Sequence, residues 1–232
     1  MPQPSECTAT PNAPLDAVGD LAAHQGGGLI HKYAGRALIL TTSACAIHCR
    51  YCFRRHFPYR ETDSCRSDWG QALTYLADHP DLHEVILSGG DPMSLSDKRL
   101  LQRVQQIEQL PHIHTLRIHT RTLVVFPERV TKALIQLIQQ TRLQVVIVIH
   151  ANHPNEIDAE VTQAMAQLTQ AGATLLNQAV LLRGINDDID TLTELSQTLF
   201  QAGVLPYYLH MLDPVRGTEH FQVDDQKSLN LH

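Results

Sequence analysis

Short apolar runs recur along the chain and alternate with stretches of helical spacing. The runs ALILT (37–41), EVILS (84–88), TLRIHT (115–120), QVVIVIH (144–150), TLLNQAVLL (174–182) and LPYYLHML (205–212) read as buried strands. Between them, 68–79, 96–109, 127–140, 156–171 and 188–202 carry apolar residues three and four apart, which predicts helices. Several ends are signalled: Ser96 precedes an acidic first turn, Pro127 suits a first helical position, and Gly172 and Gly203 follow last turns. Residues 1–28 are rich in Pro, Ala and Gly without a sustained period, and predict a loose N-terminal arm. The folded unit is expected over 29–221, with 222–232 a tail.

Six strands alternating with five helices imply right-handed βαβ units and a parallel sheet. An open doubly wound sheet and a barrel both satisfy that pattern, and both place their sites beyond the C-terminal ends of the strands. The polar residues fall there. A cysteine cluster follows the first strand, Ser88-Gly89-Gly90-Asp91 the second and Arg121 the third. His150 ends the fourth, Gln178 lies within the fifth, and Asp213 follows the sixth. A site spread over so many strands favours the barrel and an enzyme's mouth.

Charge and composition narrow the partners. The net charge is −6 and the pI near 6.1, which argues against a nucleic-acid or anionic-membrane partner. No apolar run approaches the roughly 18 residues of a membrane span, and the Met1 end lacks the layout of a signal peptide. The chain therefore reads as soluble and cytoplasmic, where thiols stay reduced and clustered cysteines serve metals or catalysis rather than disulfides.

Three of the 5 cysteines, Cys45, Cys49 and Cys52, stand at C-x3-C-x2-C spacing beside Arg54, Arg55 and His56. Thiolates select zinc, Cu(I) or iron–sulfur clusters. Structural zinc wants four ligands; the remaining Cys7 and Cys65 form no second knuckle, though His48 or His56 offers a fourth ligand. A [4Fe–4S] cube is usually held by four cysteines. Held by three, it leaves one iron open for an exogenous ligand.

That loop, "CAIHCRYC", resembles the radical S-adenosylmethionine (SAM) enzymes, in which the open iron chelates SAM. The segments "HKYAGRALIL", "CRYCFRRHFPY", "ILSGGDPMSLSD", "LRIHTR", "HANHPNEI", "LLNQAVLLRGIND" and "PYYLHMLDPVRGTEHF" together resemble the lysine 2,3-aminomutase family. The "CFRRHFPY" form is most similar to the branch that makes (R)-β-lysine for elongation factor P. The resemblance implies a partial (β/α)6 barrel, open on one side.

It also implies roles. Cys45, Cys49 and Cys52 would hold the cluster. Ser88, Gly89, Gly90 and Asp91, with His150 and Gln178, would line the SAM site, although Gly-Gly-Asp-Pro is also ordinary turn chemistry. Arg54 would grip the carboxylate of substrate lysine by two parallel hydrogen bonds. Asp213 would bind its distal ammonium, against a plainer role as a turn former before Pro214. The family also uses pyridoxal 5′-phosphate (PLP). Tyr33 and Arg36 match its contacts, and Lys32 stands where many members carry arginine. The family's PLP-anchoring lysine belongs to a Gly-rich segment beyond the motif at 206–221. Lys227 has no such flank and is expected to be surface charge, so the chain is expected to be shortened at both ends relative to the family. The partners implied are L-lysine, elongation factor P and its lysyl ligase.

Overall fold

The computed structural model describes residues 14–59, 69–229 and 231. Cys7, Cys65, residues 1–13 of the arm and the first position of the helix expected over 68–79 lie outside the described residues. Among the described residues, seven strands make one sheet in chain order. They are β1 (Leu29–Tyr33), β2 (Arg36–Thr42), β3 (Glu84–Gly89), β4 (Thr115–Thr120), β5 (Gln144–Ile149), β6 (Thr174–Val180) and β7 (Leu205–His210). Each strand from β2 to β7 pairs in parallel with the next. Those six strands are the expected partial (β/α)6 arrangement, and the sheet does not close, because β1 and β7 are its two edges.

β1 is an addition. It pairs antiparallel with β2 through a turn at Gly35, whose φ of 77° suits glycine. Its sequence LIHKY has no period of two, and its last two residues are exposed, so the pairing rather than the pattern makes it a strand.

The helices are α1 (Trp69–Asp78), α2 (Asp97–Glu108), α3 (Thr122–Val125), α4 (Lys132–Gln140), α5 (Ala159–Gln170), α6 (Ile189–Gln201) and α7 (Asp225–Leu229). α2, α5 and α6 begin where a side chain accepts an orphan backbone N–H: Ser96 from Arg99, Asp158 from Val161, Asp188 from Thr191. The helix expected over 127–140 is divided. Pro127 heads a separate 3-10 turn, and α4 starts after Thr131, whose hydroxyl accepts from the Leu134 N–H at 3.1 Å.

Alternate side chains of each strand point to opposite faces. Leu116, Ile118, Val145, Ile147 and Leu175 face the helices and are nearly or completely buried. Their neighbours Arg117, His119, His150 and Gln178 face the hollow side, with Glu84 and Ser88 of β3. Arg117 donates to Glu84 at 2.6 Å, the His119 and His150 rings meet edge-on 6.0 Å apart, and Gln178 reaches His150 at 2.8 Å.

The described part of the arm, 14–28, is held rather than loose. The Leu40 N–H donates to Gly28, that of His31 to Ala23, and that of Arg216 to Pro14. Asp20 is only 2% exposed. Beyond β7, Lys227 of α7 is half exposed and pairs with Asp187, as surface charge does. Among the described residues, no helix is long and apolar enough to cross a membrane.

Candidate active site

The cysteine loop leaves β2 at Thr42 and crosses the C-terminal end of β3. Two glycines permit the contact. The Gly90 N–H donates to the Thr42 carbonyl at 2.6 Å, and the Asp91 N–H to that of Ala44 at 2.8 Å. A Cβ on Gly90 would lie 2.2 Å from the Ala44 carbonyl oxygen, and one on Gly89, at φ 120°, 2.7 Å from that of Thr42. The close backbone approach that these glycines permit is thus to the loop carrying the cysteines.

Asp91 holds this rim together. Its two carboxylate oxygens accept from the Met93, Arg121 and Thr122 N–H groups and from the Thr120 hydroxyl, at 2.7–2.9 Å. Four donors fill its lone pairs, so this carboxylate organises the ends of β3 and β4.

The three thiols are free and half-buried. Burial, reinforced by Asp91 and the other two cysteines, pushes the Cys45 thiol up to about 12. Burial also raises Cys49 and Cys52, against the lowering effect of Arg121 on the first and of Arg54 on the second. Apart from a metal these thiols keep their protons, and a bound cation reverses that balance. Among the described residues, no three His, Cys, Asp or Glu side chains converge tightly enough for a single metal ion. The donor chemistry, three thiols on one loop, suits an iron–sulfur cluster. The histidines considered as a fourth zinc ligand fit less well: His56 Nε2 is engaged with the Arg216 carbonyl at 3.0 Å, and His48 is exposed.

Behind the loop lies a buried network that the sequence reading did not assign. The Tyr51 hydroxyl accepts from Arg121 at 3.0 Å and from the Asn152 amide at 2.6 Å. Arg121 also reaches the His150 carbonyl at 2.9 Å and Glu156 at 2.5 Å, and Glu156 accepts the Asn152 N–H. Asn152 in turn accepts from the Val180 N–H of β6. The cue was present in "HANHPNEI", where Asn and Glu follow a strand end, but nothing there shows that Tyr51 is the partner.

His150 and Gln178 are brought together as expected. Gln178 Nε2 donates to His150 Nε2, and burial pushes that imidazole down to about 4, so it is neutral at pH 7. Burial likewise lowers His119, whose Nε2 has no hydrogen-bond partner among the described residues.

Arg54 folds back from the loop over the hollow side. Its Nη1 donates to the Ser88 hydroxyl at 3.1 Å and its Nε to Asp20 at 2.7 Å. Asp213 stands after β7 with no side-chain hydrogen bond among the described residues, its carboxyl raised by burial and lowered in part by His210, Lys32 and Arg54. A cleft lined by Leu15, Leu21, Phe53, Arg54 and Phe57 runs between the arm and the loop.

Tyr33 and Arg36 lie elsewhere. They sit at the opposite end of β2 from the cysteines, about 20 Å away at a strand rise of about 3.3 Å per residue. Tyr33 is 66% exposed. Arg36 approaches Glu84 at 3.8 Å.

Comparison with known proteins agrees with this geometry. The profile of the Radical SAM superfamily matches residues 39–195. The chain is similar to the L-lysine 2,3-aminomutase of Escherichia coli K12, 52% identical over 201 residues, covering 87% of this chain and 59% of that protein. It is also similar to the L-lysine 2,3-aminomutase of Clostridium subterminale, at 38% identity over 88% of this chain and 49% of the other. The glutamate 2,3-aminomutase of Clostridioides difficile is 35% identical over 91% and 50%. The chain thus spans about half to three-fifths of the length of these relatives. A radical SAM methyltransferase from Sphaerobacter thermophilus shares the fold, with a TM-score of 0.58 at 17% identity, over 88% of this chain and 64% of that one.

Proposed function

Because the chain belongs to the radical SAM superfamily, we propose that it forms the cluster- and substrate-binding barrel of an L-lysine 2,3-aminomutase that converts L-α-lysine to (R)-β-lysine. The observation that carries this reading is a juxtaposition. The three-cysteine loop is stitched to the glycines of β3, and Arg54 from the same loop turns back over the hollow face beside Ser88.

In this reading Cys45, Cys49 and Cys52 hold a [4Fe–4S] cluster with one iron free for SAM. The backbone of Gly89 and Gly90, with Ser88, His150 and Gln178, lines the SAM site, and Asp91 holds that rim in shape. Neutral His150 offers a hydrogen-bonding group without adding positive charge beside a sulfonium. Arg54 binds the substrate carboxylate, and Asp213, which accepts no side-chain hydrogen bond among the described residues, takes the distal ammonium. Tyr33 and Arg36 contact PLP from the far end of β2. When bound, the cluster and SAM supply a hydrogen-abstracting radical, and PLP supplies the group through which nitrogen passes from C2 to C3. The chain's own residues orient lysine and exclude water. The product serves elongation factor P through its ligase, in the cytoplasm.

The match of the radical SAM profile over residues 39–195 supports a second reading, in which this chain binds the cluster and SAM without completing the mutase reaction. Anaerobic reconstitution followed by incubation with lysine, SAM, PLP and reductant decides between them. Formation of 5′-deoxyadenosine together with β-lysine supports the mutase. Formation of 5′-deoxyadenosine alone supports the second reading, and failure to take up iron ends both.

A further inference from the structure

Asp20 belongs to the arm whose composition predicts no fixed structure, yet its side chain is 3% exposed. It bridges two cations. One oxygen accepts from Lys32 Nζ at 2.5 Å and the other from Arg54 Nε at 2.7 Å. The turn that presents it is itself fixed, since Asp16 accepts from the Asp20 and Leu21 N–H groups at 3.0 and 2.9 Å. Lys32 is anchored a second time, on the Val18 carbonyl at 2.7 Å.

A guanidinium carries five N–H donors. Asp20 takes the one on Nε and Ser88 takes one on Nη1. Nη2 has no hydrogen bond among the described residues, so its donors stay open to a carboxylate beside Nη1. Long side chains ordinarily sample many rotamers, and ordering one upon binding costs affinity. Here that ordering is done in advance, from two sides, by groups that leave those donors open.

We propose that Asp20 is a positioning residue, one that holds the guanidinium of Arg54 with its open donors toward the hollow and thereby sets the site's affinity for an amino-acid carboxylate. The proposal rests on the reading of Arg54 as the carboxylate clamp. It places part of the substrate site in the arm, outside the barrel.

The test compares wild type, Asp20→Asn and Asp20→Glu as cluster-reconstituted full chains, by iron content, calorimetric titration with L-lysine and crystal structure. Asp20→Asn is expected to keep its iron, to bind lysine at least about tenfold more weakly, and to show Arg54 displaced from Ser88. Unchanged lysine affinity with iron retained overturns the proposal. If the Asn variant fails to load iron, Asp20→Glu decides, because it keeps the charge and lengthens the arm. Positioning predicts iron retained with weakened lysine binding; a merely architectural ion pair predicts that both survive or both are lost. If wild type itself binds no lysine, the reading of Arg54 falls separately. The crystal structures then judge Asp20 alone: an Arg54 still seated on Ser88 in the variant overturns its role.

Discussion

The two faces of β4 meet opposite environments. Leu116 and Ile118 point at the helices and are completely buried among apolar side chains. Arg117 and His119, each one residue along, point into the hollow and meet Glu84, Tyr207 and His150. On the first face, stability comes from removing hydrocarbon from water, about 25 cal/mol per Å². On the second, groups that favour water have been desolvated and paired, at best breaking even energetically. A fold keeps such a face where it needs chemistry there. The rim is a third case: backbone against backbone, with no room for a side chain.

The sharpest way to break this division is at the rim. Gly90→Ala places a methyl 2.2 Å from the Ala44 carbonyl and 2.8 Å from the Ser43 carbonyl carbon, both backbone atoms that cannot swing aside. The variant should lose on the order of 3 kcal/mol or more and fail to load iron. Thermal melts and iron analysis on the same preparation check this. An alanine variant that reconstitutes like wild type would show that the cysteine loop does not need its seat on β3.

Next come the two faces themselves. Removing one member of the buried pair, by Glu84→Leu, leaves Arg117 uncompensated and should cost about 3–5 kcal/mol. Ile118→Ala on the opposite face should cost about 2–5 kcal/mol through lost burial and a cavity. The double variant Glu84→Leu/Arg117→Met separates the two causes. Replacing both charges should recover most of the first loss in denaturant titrations, whereas nothing short of refilling the cavity recovers the second.

The dry face was legible in the sequence and the wet one only in part. Runs such as EVILS and QVVIVIH mark buried strands wherever they occur, and all six expected strands are present. Helical spacing, with Ser96, Gly172 and Gly203 as end signals, placed α2, α5 and α6 to within three residues. Pro127 misled, because proline opens a 3-10 turn as readily as a helix, and Thr131 was the better signal for α4. The cysteines announced themselves by spacing. Asp20 did not, since a carboxylate among Pro, Ala and Gly looks solvated until Lys32 and Arg54 are folded around it. Tyr51 and Arg121 are paired across 70 positions, a distance no local pattern spans.

Acid offers a titration of the wet face. His150 is held at about 4 in the fold against an ordinary 6.5, and His119 is lowered in the same direction, both by burial. A group whose folded pKa is depressed binds its proton more readily in the unfolded chain. The stability that their neutral forms provide is therefore complete above about pH 6.5 and declines as pH falls toward 4, by an amount on the order of 3 kcal/mol for His150. Denaturant midpoints measured across that interval should fall steadily. A midpoint flat from pH 7 to 4.5 would mean that the hollow admits enough water to solvate imidazolium.

The smallest expected effect is also the most discriminating. His119 is half-buried and its Nε2 has no hydrogen-bond partner among the described residues, a cost of about 1–3 kcal/mol if that face stays dry. His119→Leu removes that cost, fills similar space and takes one proton site out of the acid transition. The variant should be as stable as wild type at pH 7, or more stable by up to about 1 kcal/mol, with a shallower decline below pH 6.5. Lysine-dependent SAM cleavage, measured as 5′-deoxyadenosine, should fall over the same substitution. Stability and activity moving in opposite directions is the signature of a polar group kept for chemistry. A loss of stability comparable to that of Ile118→Ala would instead place His119 with the core and erase the distinction between the two faces of β4.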